Sequence, residues 1–271
     1  MTRQYCHVGA RTIAYLDSVP RGNDLRTIVL LHAFPLGAGM WEPQIRSIPK
    51  GWRLITPDLR GFGGTSDPEG TPAMDDYAQD VVDLLEALGI ARAVVGGCSM
   101  GGYATFAVLR NAPDMVEAVV LADTRAGADS QEGRANRRSM LALLDREGAS
   151  GVARDMLPRL LGPTTRENHP TAEATVRRLI KQQSPEAIRR AIQRMMERQD
   201  AMPLVSALRL PALVIVGEED ELTPVEESRR IAEAIPDARL EVVPAAGHLS
   251  NLEQPDRFNQ ALGAFLASLS R

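Results

Sequence analysis

Short apolar runs rich in valine, isoleucine, leucine and alanine alternate along this chain with segments of helical periodicity. That alternation restricts the fold more than any other feature. The runs are Tyr5 to Gly9, Thr12 to Val19, Thr27 to His32, Arg53 to Pro57, Ala93 to Gly96, Ala118 to Ala122, Leu213 to Val216 and Leu240 to Val243. Most are a few continuous apolar residues, as expected of strands covered on both faces rather than of half-exposed ones. The first two read as an antiparallel hairpin. Helices that cover both faces of a sheet arise when they serve as crossovers between parallel strands. The pattern therefore predicts an α/β fold with a mostly parallel sheet of about eight strands flanked by helices.

Helical segments fall between these runs. Asp75 to Leu88 repeats Val81, Leu84, Leu85 and Leu88 on one face and stops at Gly89. Thr223-Pro224-Val225-Glu226 reads as a capping box with proline at the first helical position. The stretch from Pro255 carries Phe258, Leu262, Phe265, Leu266 and Leu269 on one face. Between Ala122 and Leu213 the alternation fails, and about ninety residues show helical patterns only. Candidate helices there are Gln131 to Arg146, Val152 to Leu161, Ala172 to Gln183 and Pro185 to Arg198, with breaks at Gly148 to Gly151, Gly162-Pro163 and Ser184-Pro185. The expected organisation is a core of residues 1–124 and 204–271, with a helical cap of residues 125–203 inserted after the sixth strand.

Gly97-Cys98-Ser99-Met100-Gly101 follows the fifth run directly and opens a helical segment. A sharp strand-to-helix turn needs small neighbours on either side of its apex, and it lifts the apical serine above the sheet at a helix N-terminus. Ser99 is the candidate nucleophile. Cys98 sits one position before the apex and reads as a small buried residue. A serine hydroxyl needs a base. Of the four histidines, His248 in Ala245-Ala246-Gly247-His248 follows the last run on a loop before the final helix, which brings it to the same sheet edge as Ser99. His7 lies on the first strand, His32 precedes Phe34-Pro35, and His169 caps the segment from Pro170.

The acid that orients the base belongs on a strand end between serine and histidine in sequence. Gly217-Glu218-Glu219-Asp220-Glu221 supplies Asp220, with the three glutamates read as solvated. Asp123, at the end of the preceding strand, is its competitor. His32-Ala33-Phe34-Pro35 follows the third run, so the backbone amides of Phe34 and Met100 are the candidate oxyanion donors.

Taken together, His32-Ala33-Phe34-Pro35, Asp58 through Ser66, Gly97 through Gly102, Gly217 to Asp220 and Gly247-His248 resemble the α/β-hydrolase superfamily over nearly the whole chain. They look like its branch of cofactor-free haloperoxidases, small arylesterases and 3-oxoadipate enol-lactonases. The resemblance implies the triad and oxyanion roles just given and a helical cap after the sixth strand. Asp58 through Ser66 is usually structural in such proteins. Ala33 departs from the glycine common at that position, which leaves the backbone donor intact. The serine at position 99 disfavours the relatives that use an aspartate nucleophile.

The expected reaction is hydrolysis of carboxylic esters with small or aromatic acyl groups through an acyl-enzyme. The alternatives are a lactonase, such as an enol-lactone hydrolase, and a weakly catalytic ligand receptor of the same fold. Leu141, Leu144, Met156, Leu160, Met195 and Met196 suggest an apolar cap ceiling, although packing between helices accounts for most of them. Residues 125–203 carry a net charge of +5 against −9 for the remainder, which would suit an anionic substrate; pairing on helix surfaces is the preferred explanation.

The formal net charge of −4 gives no bias toward nucleic acid or anionic membranes. No apolar run reaches bilayer-spanning length, and the N-terminus lacks the apolar stretch of a secretory signal, so a cytoplasmic enzyme is expected. Two cysteines, Cys6 and Cys98, read as reduced, and no metal or organic cofactor is expected. The expected partner is a small ester or lactone. A homo-oligomer stays open, and the sequence leaves the physiological substrate unassigned.

Overall fold

The computed structural model describes residues 2–19 and 25–269. Its strands are β1 (Gln4–Val8), β2 (Arg11–Asp17), β3 (Arg26–Leu31), β4 (Trp52–Pro57), β5 (Ala93–Cys98), β6 (Val116–Ala122), β7 (Ala212–Gly217) and β8 (Ala238–Val243). They form one sheet in the order β1-β2-β4-β3-β5-β6-β7-β8. β2 runs antiparallel to both neighbours, and every other pairing is parallel. All six residues of β5 and of β7 are buried, as continuous apolar runs require. β8 departs from that expectation: apart from buried Val243 its residues alternate between partly buried and exposed, because it is a sheet edge, as is β1.

Helices α1 (Glu42–Ser47), α2 (Asp75–Ala87) and α3 (Met100–Asn111) connect strands in the first half. The insertion between β6 and β7 holds α4 (Gln131–Leu160), α5 (Pro163–Asn168), α6 (Pro170–Lys181), α7 (Pro185–Met196) and α8 (Met202–Ala207). The break expected near Gly148 is a kink within α4, where Gly148 takes a φ of 63°. α5 and α8 escape a periodicity reading because six residues are under two turns. The chain ends with α9 (Val225–Ala234), α10 (Ser250–Glu253) and α11 (Pro255–Leu269). Phe258, Leu262, Phe265 and Leu266 of α11 are buried in the core.

A buried ionic cluster fastens the insertion to the core. Arg194 of α7 is fully buried, and its guanidinium reaches Asp67 at 2.9 Å and Asp76 at 3.1 Å. It also lies 4.9 Å from the centre of the Tyr77 ring. Arg190, one turn earlier, meets Asp67 at 2.7 Å. A buried guanidinium is tolerated only when carboxylates and hydrogen bonds compensate its lost hydration.

Because β3 and β5 through β8 are parallel, the segments leaving their C-terminal ends emerge at one edge. Phe34, Ser99, Asp123, Asp220 and His248 all lie on those segments. No helix among the described residues is long and apolar enough to cross a membrane.

Candidate active site

Ser99 sits between β5 and α3 with φ 55° and ψ −112°, a strained combination for any residue with a side chain. The turn survives because its neighbours lack side chains. A Cβ on Gly97 would fall 2.3 Å from the carbonyl carbon of Gly101, and one on Gly101 would fall 2.1 Å from the oxygen of Leu31. The Ser99 amide donates to Ala122 at 2.9 Å, and the Thr124 hydroxyl donates to the Ser99 carbonyl at 2.9 Å. These bonds hold the apex against β6.

His248 reaches this apex from the loop after β8. Its Nε2 lies 2.8 Å from Ser99 Oγ, and its Nδ1 lies 2.8 Å from Asp220 Oδ2. Asp220 is buried, and each of its oxygens has further donors. Oδ1 accepts the N–H groups of Leu222 and Thr223 at 2.8 and 2.9 Å, and Oδ2 accepts the Thr223 hydroxyl at 2.6 Å. Burial opposes its charge, but His248 and these donors outweigh burial and hold the carboxyl below the usual range. Burial likewise pushes the His248 imidazole down, and the charge and hydrogen bond of Asp220 more than reverse this, leaving it above its ordinary value.

The sequence predicts Thr223 as a helix cap. The structure corrects this: Pro224 precedes α9 without a side-chain cap bond, and the Thr223 hydroxyl is spent on Asp220, 3.2 Å from His248 Nδ1. Its spacing of three residues from Asp220 was the available signal. Glu219 is a second correction. Rather than being solvated, it accepts the Thr164 amide at 3.1 Å and pairs with the Thr164 hydroxyl. Glu218 and Glu221 are exposed.

Asp123 does not meet His248 by any hydrogen bond among the described residues. It is fully buried, takes a φ of 43°, accepts the Gly217 amide at 2.9 Å and lies 2.6 Å from the Ser250 hydroxyl. Burial and the nearby Asp220 charge push its carboxyl well up. Burial and Asp123 do the same to the Cys98 thiol, which stays protonated and unsuited to attack. Cys6 and Cys98 are both free.

Phe34 and Met100 flank the apex, the latter as the first residue of α3. Among the described residues no hydrogen bond engages the amide of either. His32, fully buried, tethers the Phe34 loop: its Nδ1 lies 3.0 Å from the Ala33 carbonyl, and its Nε2 accepts the Leu59 amide at 3.0 Å. Burial pushes this imidazole down, so it stays neutral.

Ser99 and His248 open onto a cavity of about 510 Å³ between the sheet edge and the inserted helices. Met140, Leu143, Met156 and Met195 line it, whereas Leu141, Leu144, Leu160 and Met196 do not. The sequence reading missed the polar part of the lining, which includes Arg125, Arg137 and Arg159. No periodic pattern distinguishes an arginine facing a cavity from one facing solvent.

A hydroxyl, an imidazole and a buried carboxylate in one hydrogen-bonded line can perform nucleophilic substitution at a carbonyl. A family model described as the alpha/beta hydrolase fold matches residues 26–255. The chain belongs to the alpha/beta hydrolase family. This hydrolase is 37% identical to a thermophilic esterase from Thermogutta terrifontis, solved with malate bound, covering 99% of each chain with a TM-score of 0.92. The enol-lactonase from Burkholderia xenovorans LB400 is 29% identical over 97% of this hydrolase and all of that chain, with a TM-score of 0.89. 3-Oxoadipate enol-lactonase 2 of Acinetobacter baylyi is 30% identical, covering 90% of this chain and 89% of its own.

Proposed function

We propose that the protein is a serine-dependent hydrolase of carboxylic esters with small or aromatic acyl groups. The observation that carries this reading is the unbroken line from Ser99 Oγ through His248 to Asp220, opening on a cavity large enough for a small ester. Its likeness to an esterase and to enol-lactonases supports it.

Ser99 Oγ attacks the ester carbonyl while His248 Nε2 takes its proton, and Asp220 stabilises the imidazolium through Nδ1–H. The new oxyanion lies between the amides of Phe34 and Met100, which have no competing acceptor among the described residues. As the C–O bond breaks, His248 returns its proton to the leaving alcohol. It then deprotonates a water that attacks the acyl-enzyme, and collapse releases the acid and restores Ser99. The inserted helices act as a cap that shapes the acyl pocket, and the cytoplasm is the proposed site of action.

The test is hydrolysis of p-nitrophenyl acetate with Ser99→Ala as control. The variant falls by about 10³-fold or more in kcat if Ser99 is the nucleophile. Full activity in the variant refutes the reading. Failure of a fluorophosphonate to label Ser99 in folded protein favours a receptor instead.

A lactone acid is a second reading, favoured by Arg125. Its guanidinium lines the cavity, donates to the Leu222 carbonyl and enters no ion pair among the described residues. By contrast, Arg137 is paired with Asp129 and Arg159 with Asp155. Comparing an anionic lactone with a neutral ester at two salt concentrations separates the readings, since attraction to a free guanidinium weakens with ionic strength.

A further inference from the structure

Glu253, the last residue of α10, is buried and divides its carboxylate between two parts of the molecule. Oε1 accepts the amides of Gly247 at 3.0 Å and Leu249 at 3.1 Å, the two residues flanking His248. Oε2 accepts the amide of Gly162 at 2.8 Å. Gly162 joins α4 to α5, and the last turns of α4 give Met156 and Arg159 to the cavity wall. The backbones of Gly162 and Gly247 are in close contact: a Cβ on Gly247 would fall 2.3 Å from Gly162 N, and one on Gly162 would fall 2.8 Å from Gly247 N. A second acid reinforces the junction. Glu219, next to Asp220, holds Thr164 by its amide and hydroxyl.

We propose that Glu253 is a positioning residue whose one carboxylate sets both the His248 imidazole and the cavity wall, so that cap placement and base alignment are coupled. The inference rests on reading His248 as the base. Buried backbone amides keep an acceptor in a native structure, and this carboxylate is the acceptor on both sides of His248. The cap meets the same side chain through Gly162. A shift of Gly162 therefore pulls on the loop that carries the imidazole, which must stay within hydrogen-bonding range of Ser99.

Two substitutions divide the roles. Glu253→Ala removes the acceptor from all three amides. The His248 loop shifts, and a displacement of about 1 Å is worth roughly 10²-fold in kcat. Labelling of Ser99 by a fluorophosphonate slows in parallel. Glu253→Gln retains one acceptor oxygen. Turned toward Gly247 and Leu249 it keeps two of the three bonds, while its amide nitrogen faces the Gly162 N–H, donor against donor. Here kcat and the labelling rate stay within about threefold of wild type, while KM rises about tenfold as the wall loosens, the equivalent of one lost bond to a charged acceptor.

Near-UV circular dichroism establishes that each variant is folded. Should the alanine variant fail to fold, the split between kcat and KM in the glutamine variant still decides. Folded Glu253→Ala that labels Ser99 at the wild-type rate, or Glu253→Gln that loses kcat at unchanged KM, overturns the proposal. Ser99→Ala keeps the two readings apart. If it retains activity the catalytic reading fails, whereas wild-type behaviour of the Glu253 variants beside an inactive Ser99→Ala refutes the coupling alone.

Discussion

Replacing Asp220 by asparagine exchanges one carboxylate oxygen for an NH₂ group and is expected to disable the base through its tautomer. In the native site Oδ1 accepts two backbone amides, and Oδ2 faces the Thr223 hydroxyl and His248 Nδ1. Asparagine fits this site in one orientation only. Its oxygen must take the place of Oδ1, because an NH₂ group there would face the N–H groups of Leu222 and Thr223. The NH₂ group therefore points at Thr223 Oγ1 and His248 Nδ1. The threonine hydroxyl can rotate to accept, but Nδ1 can accept only by giving up its proton. The proton moves to Nε2, where it points at Ser99 Oγ and blocks the acceptor position the serine proton needs. The loss expected is about 10⁴-fold in kcat, the size seen for this exchange in serine triads, or about 5.4 kcal/mol of transition-state stabilisation. Folding stability should change by only about 1 kcal/mol, since the backbone bonds remain. Hydrolysis of p-nitrophenyl acetate at neutral pH measures the first, and the urea midpoint measures the second. A folded Asp220→Asn protein within tenfold of wild-type kcat would refute the tautomer argument, and with it the role of Asp220.

The pH profile and the ionic cluster give further tests. His248 must be neutral to accept a proton, and Asp220 holds its imidazole above the ordinary 6.5, so the acid limb of kcat/KM should have an apparent pKa above that value. A limb at or below it contradicts the assignment. Arg194→Met leaves Asp67 with Arg190 as its remaining guanidinium, takes one partner from Asp76, and should lower stability by about 3 kcal/mol at neutral pH. Burial favours protonation of Asp67, but Arg194 and Arg190 outweigh it and depress its pKa below 3.8. Its stabilising contribution is thus present above 3.8 and lost as pH falls through the lower folded value. The gap between wild type and Arg194→Met should narrow in acid, and a gap independent of pH would show that the pairing is not its source.

Much of the architecture was legible because burial on both faces leaves a one-dimensional trace. β5 and β7 are continuous apolar runs because helices cover both sides, and the hydrophobic stripe of α11 exists because it packs on the sheet. The apolar run of β8 predicts a strand but not its exposure, since its place at the sheet edge is not a local property. Thr223 shows the opposite failure. A threonine before proline and glutamate satisfies a capping pattern on sequence grounds, yet a buried carboxylate three residues earlier is the stronger acceptor for its hydroxyl.

Sequence alone determined the strand-turn-helix around Ser99, because Gly97 and Gly101 are the residues such a crowded turn demands, and it placed an acid and a histidine after later strands. Only the folded chain decided which acid meets His248. Asp123 and Asp220 both follow parallel strands. Asp123 is engaged by Gly217 and Ser250, whereas Asp220 faces the imidazole. The tertiary structure alone also brought Glu253 to Gly162, 91 positions away in the chain. Local composition records what a residue needs from its neighbours along the chain, but an acceptor shared between two nearby amides and one 91 positions away is specified only when separate segments pack together.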